Sequence, residues 1–217
     1  MKVGVLGTGS VGRAIADKLL ALGHEVTMGS RWAESEALLE WLDGADESGR
    51  GGTFAEAAAA GELLFNCTAG EASLDALAAA GAENLAGKVL VDVANPLDFS
   101  QGMPPTLSVP NDDSLGERIQ AAFPEARVVK ALNTVNNQVM VDPGRLPGVH
   151  NVFVCGGDAE AKATVTALLS EFGWARGSVI DLGGIEAARG TEMYLPLWLR
   201  LMSALDTADF NIQVRVP

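Results

Sequence analysis

The stretch that decides the fold is MKVGVLGTGSVGRAIADKLLALGHEVTMGSR, residues 1–31. Its first apolar run, residues 2–6, is too short for a helix and rich in valine, which predicts a buried strand. A glycine-rich turn follows at residues 7–12. Residues 10–22 have apolar side chains at helical spacing, and residues 25–28 are typical of a second strand. We therefore predict a strand, a turn, a helix and a second strand.

The turn, GTGSVG, fits the G-x-G-x-x-G pattern of dinucleotide-binding proteins. In that pattern Gly7 permits the tight turn, Gly9 lets the backbone approach a pyrophosphate, and Gly12 lets the helix pack closely on the strand. The helix start directs free N–H groups and the positive end of its dipole at the phosphates. An ordinary strand–helix turn without a nucleotide is the alternative. The predicted cofactor contacts of this turn are Gly7, Thr8, Gly9, Ser10, Val11 and Gly12.

The end of the second strand indicates which nucleotide is bound. An NAD site usually has Asp or Glu there, whereas this chain has Ser30 and Arg31. A carboxylate would repel a 2′-phosphate, while a guanidinium binds it through paired, charge-assisted hydrogen bonds. A solvated surface arginine is the alternative. We therefore predict NADP(H) as the cofactor.

Composition limits the remaining possibilities. The chain has 217 residues, 48% of them hydrophobic, and a net charge of −13, which argues against nucleic acid or an anionic membrane as a partner. No apolar run is long enough to span a bilayer, and the chain begins directly with a strand, so we expect a cytoplasmic protein without a signal peptide. Cys67, Cys155, His24 and His150 lack metal-ligand spacing, so we predict no metal site and buried free thiols.

The remainder of the N-terminal half is predicted to alternate between helices and strands. Helices are predicted at residues 32–42, 53–60, 72–80 and 115–123, and buried strands at residues 62–67, 88–93 and 127–132. The glycine-rich segment from residue 44 is predicted to be a loop, and residues 100–113 a long loop of the kind that often forms a lid.

Each of these strands is followed by polar or small residues. Thr68, Ala69 and Gly70 follow one strand, Asn95 the next, and Asn133 the third. Because ligands of open α/β sheets bind outside the carboxyl ends of the strands, we expect this set along the cofactor. Thr68 could instead cap a helix, and Asn95 could order its turn.

The C-terminal part is predicted to form a small α/β lobe. Strands are expected at residues 151–155 and 178–182 with a helix between them, and a terminal strand at residues 211–216. Residues 185–205 are too hydrophobic to be solvated all round, so they pack in the lobe core, form a dimer interface or line a pocket. We predict a Rossmann-type, doubly wound α/β fold with a mostly parallel sheet, divided into an NADP-binding domain at residues 1–145 and a lobe at residues 146–217 that covers an acceptor cleft.

The chain resembles the NADPH-dependent coenzyme F420 reductases, also called F420H2:NADP oxidoreductases, over essentially its full length. GTGSVG, LGHEV at residues 22–26 and GSR at residues 29–31 contribute to this resemblance. The more specific segments are VVKALNTV at residues 128–135, FVCGGDAEAK at residues 153–162 and IDLGGIEAARGTEMYLPL at residues 180–197.

The resemblance implies roles for individual residues. It implies that Thr8 to Val11 bind the pyrophosphate and that Ser30 and Arg31 bind the 2′-phosphate. It places Gly70, Leu74 and Asn137 near the nicotinamide, and it assigns an acceptor wall to Asn133, Val135, Arg189 and Leu197. The chain departs from the family pattern at Asn133, where a deazaflavin-binding relative has histidine, and at Ser35, which replaces a lysine that supports the 2′-phosphate. The resemblance and the apolar C-terminal stretch together imply a homodimer.

The implied reaction is hydride transfer between nicotinamide C4 and C5 of the deazaflavin F420, the co-substrate. Such a transfer needs little side-chain acid or base catalysis, which agrees with the scarcity of candidate proton donors, Tyr194, Glu192 and Asp181. No catalytic residue is assigned. The alternatives are an NADPH-dependent reductase of a small carbonyl, imine or quinone-like substrate, and a non-catalytic NADP(H) sensor.

Overall fold

The computed structural model describes residues 1–109 and 111–217. The strands of these residues are β1 (Lys2–Leu6), β2 (Glu25–Ser30), β3 (Gly49–Thr53), β4 (Leu63–Asn66), β5 (Val89–Asp92), β6 (Leu97–Asp98), β7 (Thr106–Leu107), β8 (Arg127–Ala131), β9 (Val152–Cys155) and β10 (Val179–Asp181). The α-helices are α1 (Ser10–Ala21), α2 (Glu36–Gly44), α3 (Phe54–Ala60), α4 (Ser73–Ala80), α5 (Ala82–Leu85), α6 (Leu115–Ala122), α7 (Asn137–Val141), α8 (Ala159–Phe172), α9 (Ala188–Met193) and α10 (Leu195–Leu205).

Eight strands form one sheet in the order β10-β9-β8-β5-β4-β1-β2-β3. Every neighbouring pair is parallel except β8 and β9, which run antiparallel. The strand order reverses at β1, whose neighbours are β2 and β4, so a crevice opens there beyond the carboxyl ends of the strands. The predicted doubly wound, mostly parallel fold is confirmed.

Both faces of the sheet are buried, because alternate side chains of each central strand enter two different cores. In β4, Leu63 and Phe65 pack in one core, whereas Leu64 packs in the other. The first core includes side chains of α1, α2, α7 and α8, and the second includes side chains of α3, α4, α5 and α6. This two-sided burial explains the continuous apolar runs in the sequence.

The predicted loop after residue 44 is wrong in its second half, because residues 49–53 form strand β3 at the edge of the sheet. β3 pairs in parallel with β2 along its whole length. Its glycines lie close to neighbouring atoms, since a Cβ on Gly49 would lie 2.7 Å from Cβ of Ala45 and one on Gly51 would lie 2.7 Å from the side chain of Leu42 in α2. Glycine usually weakens a strand, and here the close approach of a helix selects it.

The C-terminal part differs from its prediction in one element. The predicted strand at residues 211–216 does not form. Among the described residues the segment has one backbone hydrogen bond to β9 and its flank, from Asn151 N to Ile212 O at 2.9 Å, and a strand needs a ladder of such bonds. Side-chain bonds hold the segment instead, including Asn211 Nδ2 to Asn151 O at 2.8 Å. β9 and β10 extend the main sheet, and the division between residues 145 and 146 stays a prediction.

The predicted loop at residues 100–113 is wrong at residues 106–107, which form strand β7 of a small hairpin. β6 and β7 pair antiparallel, with Leu97 opposite Leu107, and enclose the first part of the loop. The predicted loop also includes Pro110, which lies outside the described residues. Across residues 1–109 and 111–217, no helix combines the length and the apolar character needed to cross a membrane.

Candidate active site

The glycine turn between β1 and α1 is built almost entirely from backbone. Gly7 adopts φ +119°, and a Cβ there would lie 2.7 Å from the carbonyl oxygen of Cys67. A Cβ on Gly12 would overlap the carbonyl oxygen of Gly7. Gly9, by contrast, has open space within 4 Å of where its Cβ would be. Gly7 and Gly12 are therefore required by packing, whereas Gly9 leaves space above the turn.

Helix α1 begins next to that space without a capping side chain. Gly9 is its N-cap, and its first turn contains no acidic residue. The first intrahelical bond runs from Arg13 N to Gly9 O at 3.0 Å, so the N–H groups of Ser10, Val11 and Gly12 have no helical acceptor within the described residues and can bind an anion. These groups agree with the pyrophosphate site predicted for Ser10 and Val11.

Ser30 and Arg31 lie at the end of β2, as predicted. Arg31 is exposed and forms none of the ion pairs of the described residues. Ser30 is buried, donates to the carbonyl of Trp32 and accepts from Ser35 Oγ at 2.9 Å. The hydroxyl of Ser30 is thus already bonded, and the guanidinium of Arg31 is the group available for a phosphate.

Sequence reasoning missed Arg13, whose hydrogen bonds join the glycine turn to α2. Its Nε donates to Thr8 O at 3.1 Å, and its Nη2 donates to Ala37 O at 2.7 Å and to Glu40 Oε2 at 2.8 Å. Arg13 thereby ties the glycine turn to α2. In the sequence, the position of this basic residue directly after the last glycine of the turn was the feature that could have indicated its role.

A cleft of about 400 Å³ opens at the carboxyl ends of β4, β5 and β8. It brings together eight of the predicted site residues: Val11, Thr68, Ala69, Gly70, Asn95, Asn133, Val135 and Asn137. The lining also includes residues that were not predicted, among them Cys67, Thr134, Asn136, Leu195, Trp198 and Leu199. Trp198 stacks on Phe210 with ring centroids 5.3 Å apart.

The two asparagines at the ends of β5 and β8 bind one another. Asn95 Nδ2 donates to Asn133 O at 2.8 Å, and Asn133 Nδ2 donates to Asn95 Oδ1 at 3.0 Å. The Asn95 side chain therefore joins the end of β5 to the end of β8 while lining the cleft, and its two predicted roles, a cofactor contact or an ordered turn, stay predictions. Asn133 contributes a neutral amide to the cleft lining.

Thr68 does not cap a helix. Its Oγ1 donates to Asn66 Oδ1 at 2.7 Å, while the 3₁₀ turn at residues 70–72 and helix α4 both start without a capping side chain. Asn137 Nδ2 donates to Ser10 O at 3.2 Å, which joins α7 to the start of α1. Both residues thus connect different segments of the cleft lining.

Three residues assigned by resemblance lie outside the cleft lining. Leu74 packs half-buried against the core formed by α3 to α6. Arg189 pairs with Glu117 through Nε at 2.8 Å, and its hydrogen bonds lower the pKa of that carboxyl. Leu197 is 55% exposed, whereas its neighbours Leu195, Trp198 and Leu199 line the cleft. The cofactor or acceptor roles of the three stay predictions.

None of the three candidate proton donors lines the cleft. Tyr194 has a buried hydroxyl without a hydrogen-bond partner among the described residues, and burial raises its pKa. Asp181 pairs with Lys162 Nζ at 2.8 Å on the sheet edge. Glu192 is buried against Lys130.

Cys67 is the one ionisable side chain of the cleft lining within the described residues. Burial, together with the negative charge of Asp92, raises the pKa of its thiol far above the usual range. Burial likewise raises the pKa of Cys155 to about 12. Both cysteines are free thiols, as predicted, but only Cys155 is buried, whereas Cys67 is half-buried. The cleft therefore presents neutral groups to a ligand at physiological pH.

The two histidines lie outside the cleft lining and have structural partners. His24 Nε2 lies 3.2 Å from Glu171 Oε2, and His150 Nε2 lies 3.0 Å from the carbonyl of Pro143.

A buried charge cluster beneath the cleft was also missed. Lys130, Asp92 and Glu192 are 1%, 0% and 2% exposed, and Lys130 Nζ lies 2.8 Å from Asp92 Oδ2 and 2.7 Å from Glu192 Oε1. Burial alone would lower the pKa of Lys130, but the two carboxylates outweigh it and raise the pKa, so the amine stays protonated. The cluster could have been inferred from the sequence, because the apolar runs KVLVDV and RVVKAL each contain one charged residue, Asp92 and Lys130.

Comparisons with known proteins identify the family of this chain. Residues 2–96 match the family described as NADP oxidoreductase coenzyme F420-dependent. A putative F420-dependent NADP reductase from Arthrobacter sp. FB24 has 55% sequence identity and a TM-score of 0.94, with full coverage of both chains.

Two curated relatives align over almost the whole chain. The F420-dependent NADP reductase of Methanothermobacter marburgensis is 30% identical over 210 residues, which cover 93% of this chain and 92% of the relative. Rat metalloreductase STEAP3 is 32% identical over 204 residues, and the aligned part covers 91% of this chain but 38% of STEAP3. The full-length similarity to the archaeal enzyme, together with the match of the glycine turn and the first strands, shows that this chain belongs to the F420-dependent NADP reductase family.

Proposed function

We propose that this protein catalyses reversible hydride transfer between NADP(H) and coenzyme F420, F420H2 + NADP⁺ ⇌ F420 + NADPH + H⁺. The observation that carries the proposal is the composition of the cleft. Its lining is apolar or neutral, and its one ionisable group within the described residues is a thiol whose pKa is raised. Reduction of a carbonyl or imine normally needs a positioned proton donor, whereas transfer between two ring systems does not.

The residues present fit a phosphorylated nicotinamide dinucleotide. The open space at Gly9 and the uncapped start of α1 would bind the pyrophosphate, and Arg31, free of ion pairs in the described part of the chain, would bind the 2′-phosphate. Thr68, Gly70 and Asn137 lie further along the cleft, where the nicotinamide half would extend. The nucleotide supplies the hydride donor or acceptor at C4 of its nicotinamide.

The remaining cleft residues would bind and shield the second ring. Val135, Leu195, Trp198 and Leu199 form an apolar lining that would exclude water from the reacting atoms. The hydrogen bonds between Asn95 and Asn133 keep the ends of β5 and β8 together beneath that lining. The protein thus contributes orientation and desolvation, which suffice when the two ring systems carry the redox chemistry.

The test is steady-state turnover of the purified protein with F420H2 and NADP⁺, followed through the NADPH absorbance band. We expect NADPH formation with NADP⁺ and a much lower rate with NAD⁺. A parallel assay offers NADPH with a panel of small carbonyl and imine compounds. No NADPH formation from F420H2, together with NADPH oxidation by a member of that panel, would replace the proposal with the alternative reductase.

A further inference from the structure

The three N–H groups of Lys130 reach three different acceptors. Besides Asp92 Oδ2 and Glu192 Oε1, Lys130 Nζ donates to the carbonyl of Ala94. An ammonium has three donors and no acceptor, so this side chain is fully satisfied within the protein. Lys130 therefore has no N–H group left for a substrate, and any role it has must be exerted through its partners.

Two of these partners belong to the strand ends below the predicted nucleotide. Asp92 Oδ1 accepts from Ala94 N at 3.2 Å and from Asn66 Nδ2 at 2.9 Å, and the other end of Asn66 accepts from Thr68 Oγ1 at 2.7 Å. Ala94 and Thr68 both line the cleft. A continuous path of hydrogen bonds thus runs from the ammonium of Lys130 to two lining residues.

The third partner belongs to the C-terminal helices. Glu192 lies in α9, three residues before Leu195, the first residue of α10 and part of the cleft lining. Its carboxylate also accepts from Leu115 N at 2.8 Å and from Gly116 N at 3.1 Å, at the start of α6. These bonds fix the end of α9 and, through it, the start of α10.

A buried ion cluster is weak evidence for stability, because apolar side chains of similar volume often stabilise a protein as well. Its directional hydrogen bonds do, however, specify the relative positions of the segments that it joins. The rate of a transfer between two bound rings depends steeply on their approach, and a displacement of about 1 Å can cost about a hundredfold.

We propose that Lys130 is a positioning residue that sets the separation between the strand-end lining and the α10 lining of the cleft, and hence the approach of the two rings. This inference rests on the proposed function. Lys130 bonds directly to Ala94 of the strand-end lining, and it reaches the α10 lining through Glu192 in α9. The pyrophosphate and 2′-phosphate contacts do not depend on this bridge, so nucleotide affinity is expected to be separable from turnover.

The test compares Lys130→Met, Glu192→Leu and Glu192→Gln in hydride transfer from F420H2 to NADP⁺, with NADPH affinity and thermal unfolding measured in parallel. We expect Lys130→Met and Glu192→Leu to lower kcat by between about tenfold and about a hundredfold, while the Kd of NADPH changes by less than about threefold. Glu192→Gln keeps one oxygen that accepts from Lys130 and Gly116 N, but it places an amide NH2 opposite the donor Leu115 N, so it should recover part of kcat.

Lys162→Met is the matched control. It removes a lysine that pairs with Asp181 at 2.8 Å and donates to Gly183 O at 3.0 Å, in the C-terminal part of the chain and outside the cleft lining. Its kcat should stay at the wild-type value. If the variants lower only the unfolding temperature and leave kcat per folded molecule unchanged, the role of Lys130 is structural and the inference is wrong.

Two further outcomes separate this inference from the proposed function. If Lys130→Met does not fold, the two Glu192 variants decide the question, because equal kcat values for Leu and Gln would contradict the bridge. If the wild type transfers no hydride to F420, the proposed function fails instead. Amide hydrogen exchange then tests the bridge: faster exchange in both residues 93–97 and α10 of Glu192→Leu supports it, and a change in only one segment contradicts it.

Discussion

The β1–α1 turn and the α9–α10 segment contribute to the same candidate site by different means. The turn acts through its backbone, because its glycines leave space for a ligand next to the free N–H groups at the start of α1. The residues that form this arrangement lie close together in sequence. The α9–α10 segment acts through side chains, with Leu195, Trp198 and Leu199 facing the cleft and Glu192 anchored on β8. A binding site made of backbone can be recognised from a short motif, whereas one made of side chains depends on which distant segment they meet.

The largest expected effect breaks the turn. Gly12→Ala introduces a Cβ that overlaps the carbonyl oxygen of Gly7, so we expect a loss of about 3 kcal/mol of unfolding free energy, at the upper end of overpacking effects. Gly9→Ala is the matched variant, because its Cβ meets no atom within 4 Å. It should keep the wild-type unfolding free energy and lose NADPH affinity. Urea unfolding measures the stability of the two variants, and NADPH titration measures their affinity. Equal losses of unfolding free energy in Gly12→Ala and Gly9→Ala would contradict the different roles of the two glycines.

The second largest effect concerns Arg31, which follows β2 in the predicted nucleotide site. Arg31→Ala should weaken NADPH binding by about 2 kcal/mol, within the range for hydrogen bonds to charged groups, and leave NADH binding nearly unchanged. Calorimetric titration of both nucleotides measures the difference. Arg176→Ala, which removes another exposed arginine near the opposite edge of the sheet, is the control and should affect neither nucleotide. Equal losses for NADPH and NADH in Arg31→Ala would argue against a 2′-phosphate contact.

The smallest effect concerns the α10 lining. Trp198→Ala removes a ring that lines the cleft and stacks on Phe210, so we expect the KM for F420H2 to rise about tenfold, or about 1.4 kcal/mol, with NADPH affinity retained. Leu197→Ala is the matched variant: the family resemblance assigns Leu197 to the acceptor wall, whereas in the structure Leu197 is exposed and its neighbour Trp198 lines the cleft. A larger KM change for Leu197→Ala than for Trp198→Ala would favour the resemblance. Steady-state kinetics with thermal unfolding measure both variants.

Several site residues could be predicted from sequence because strand ends converge by topology. Thr68, Asn95 and Asn133 each follow an apolar run, and parallel strands bring their carboxyl ends to one edge of the sheet. The bonds that these residues form were not predictable. The mutual bonding of Asn95 and Asn133 depends on the adjacency of β5 and β8, which are separated by more than thirty residues of chain.

The misses have the same origin. β3 is rich in glycine, so its composition indicated a loop, whereas its parallel pairing with β2 makes it a strand and the close approach of α2 favours glycine at residue 51. Residues 211–216 alternate like a strand, but within the described part of the chain they form no ladder with a neighbouring strand. Local pattern describes what a segment can form, and its neighbours decide whether it does.

The sequence by itself determined the alternation of strands and helices, the glycine turn and the charge at the end of β2, because these follow from local backbone geometry and residue chemistry. The tertiary structure alone decided that Lys130 joins Asp92 to Glu192 and that Trp198, not Leu197, faces the cleft. Those facts depend on how α9 and α10 pack against the sheet. Helical periodicity specifies an apolar side of a helix, but it does not identify the surface which that side will cover.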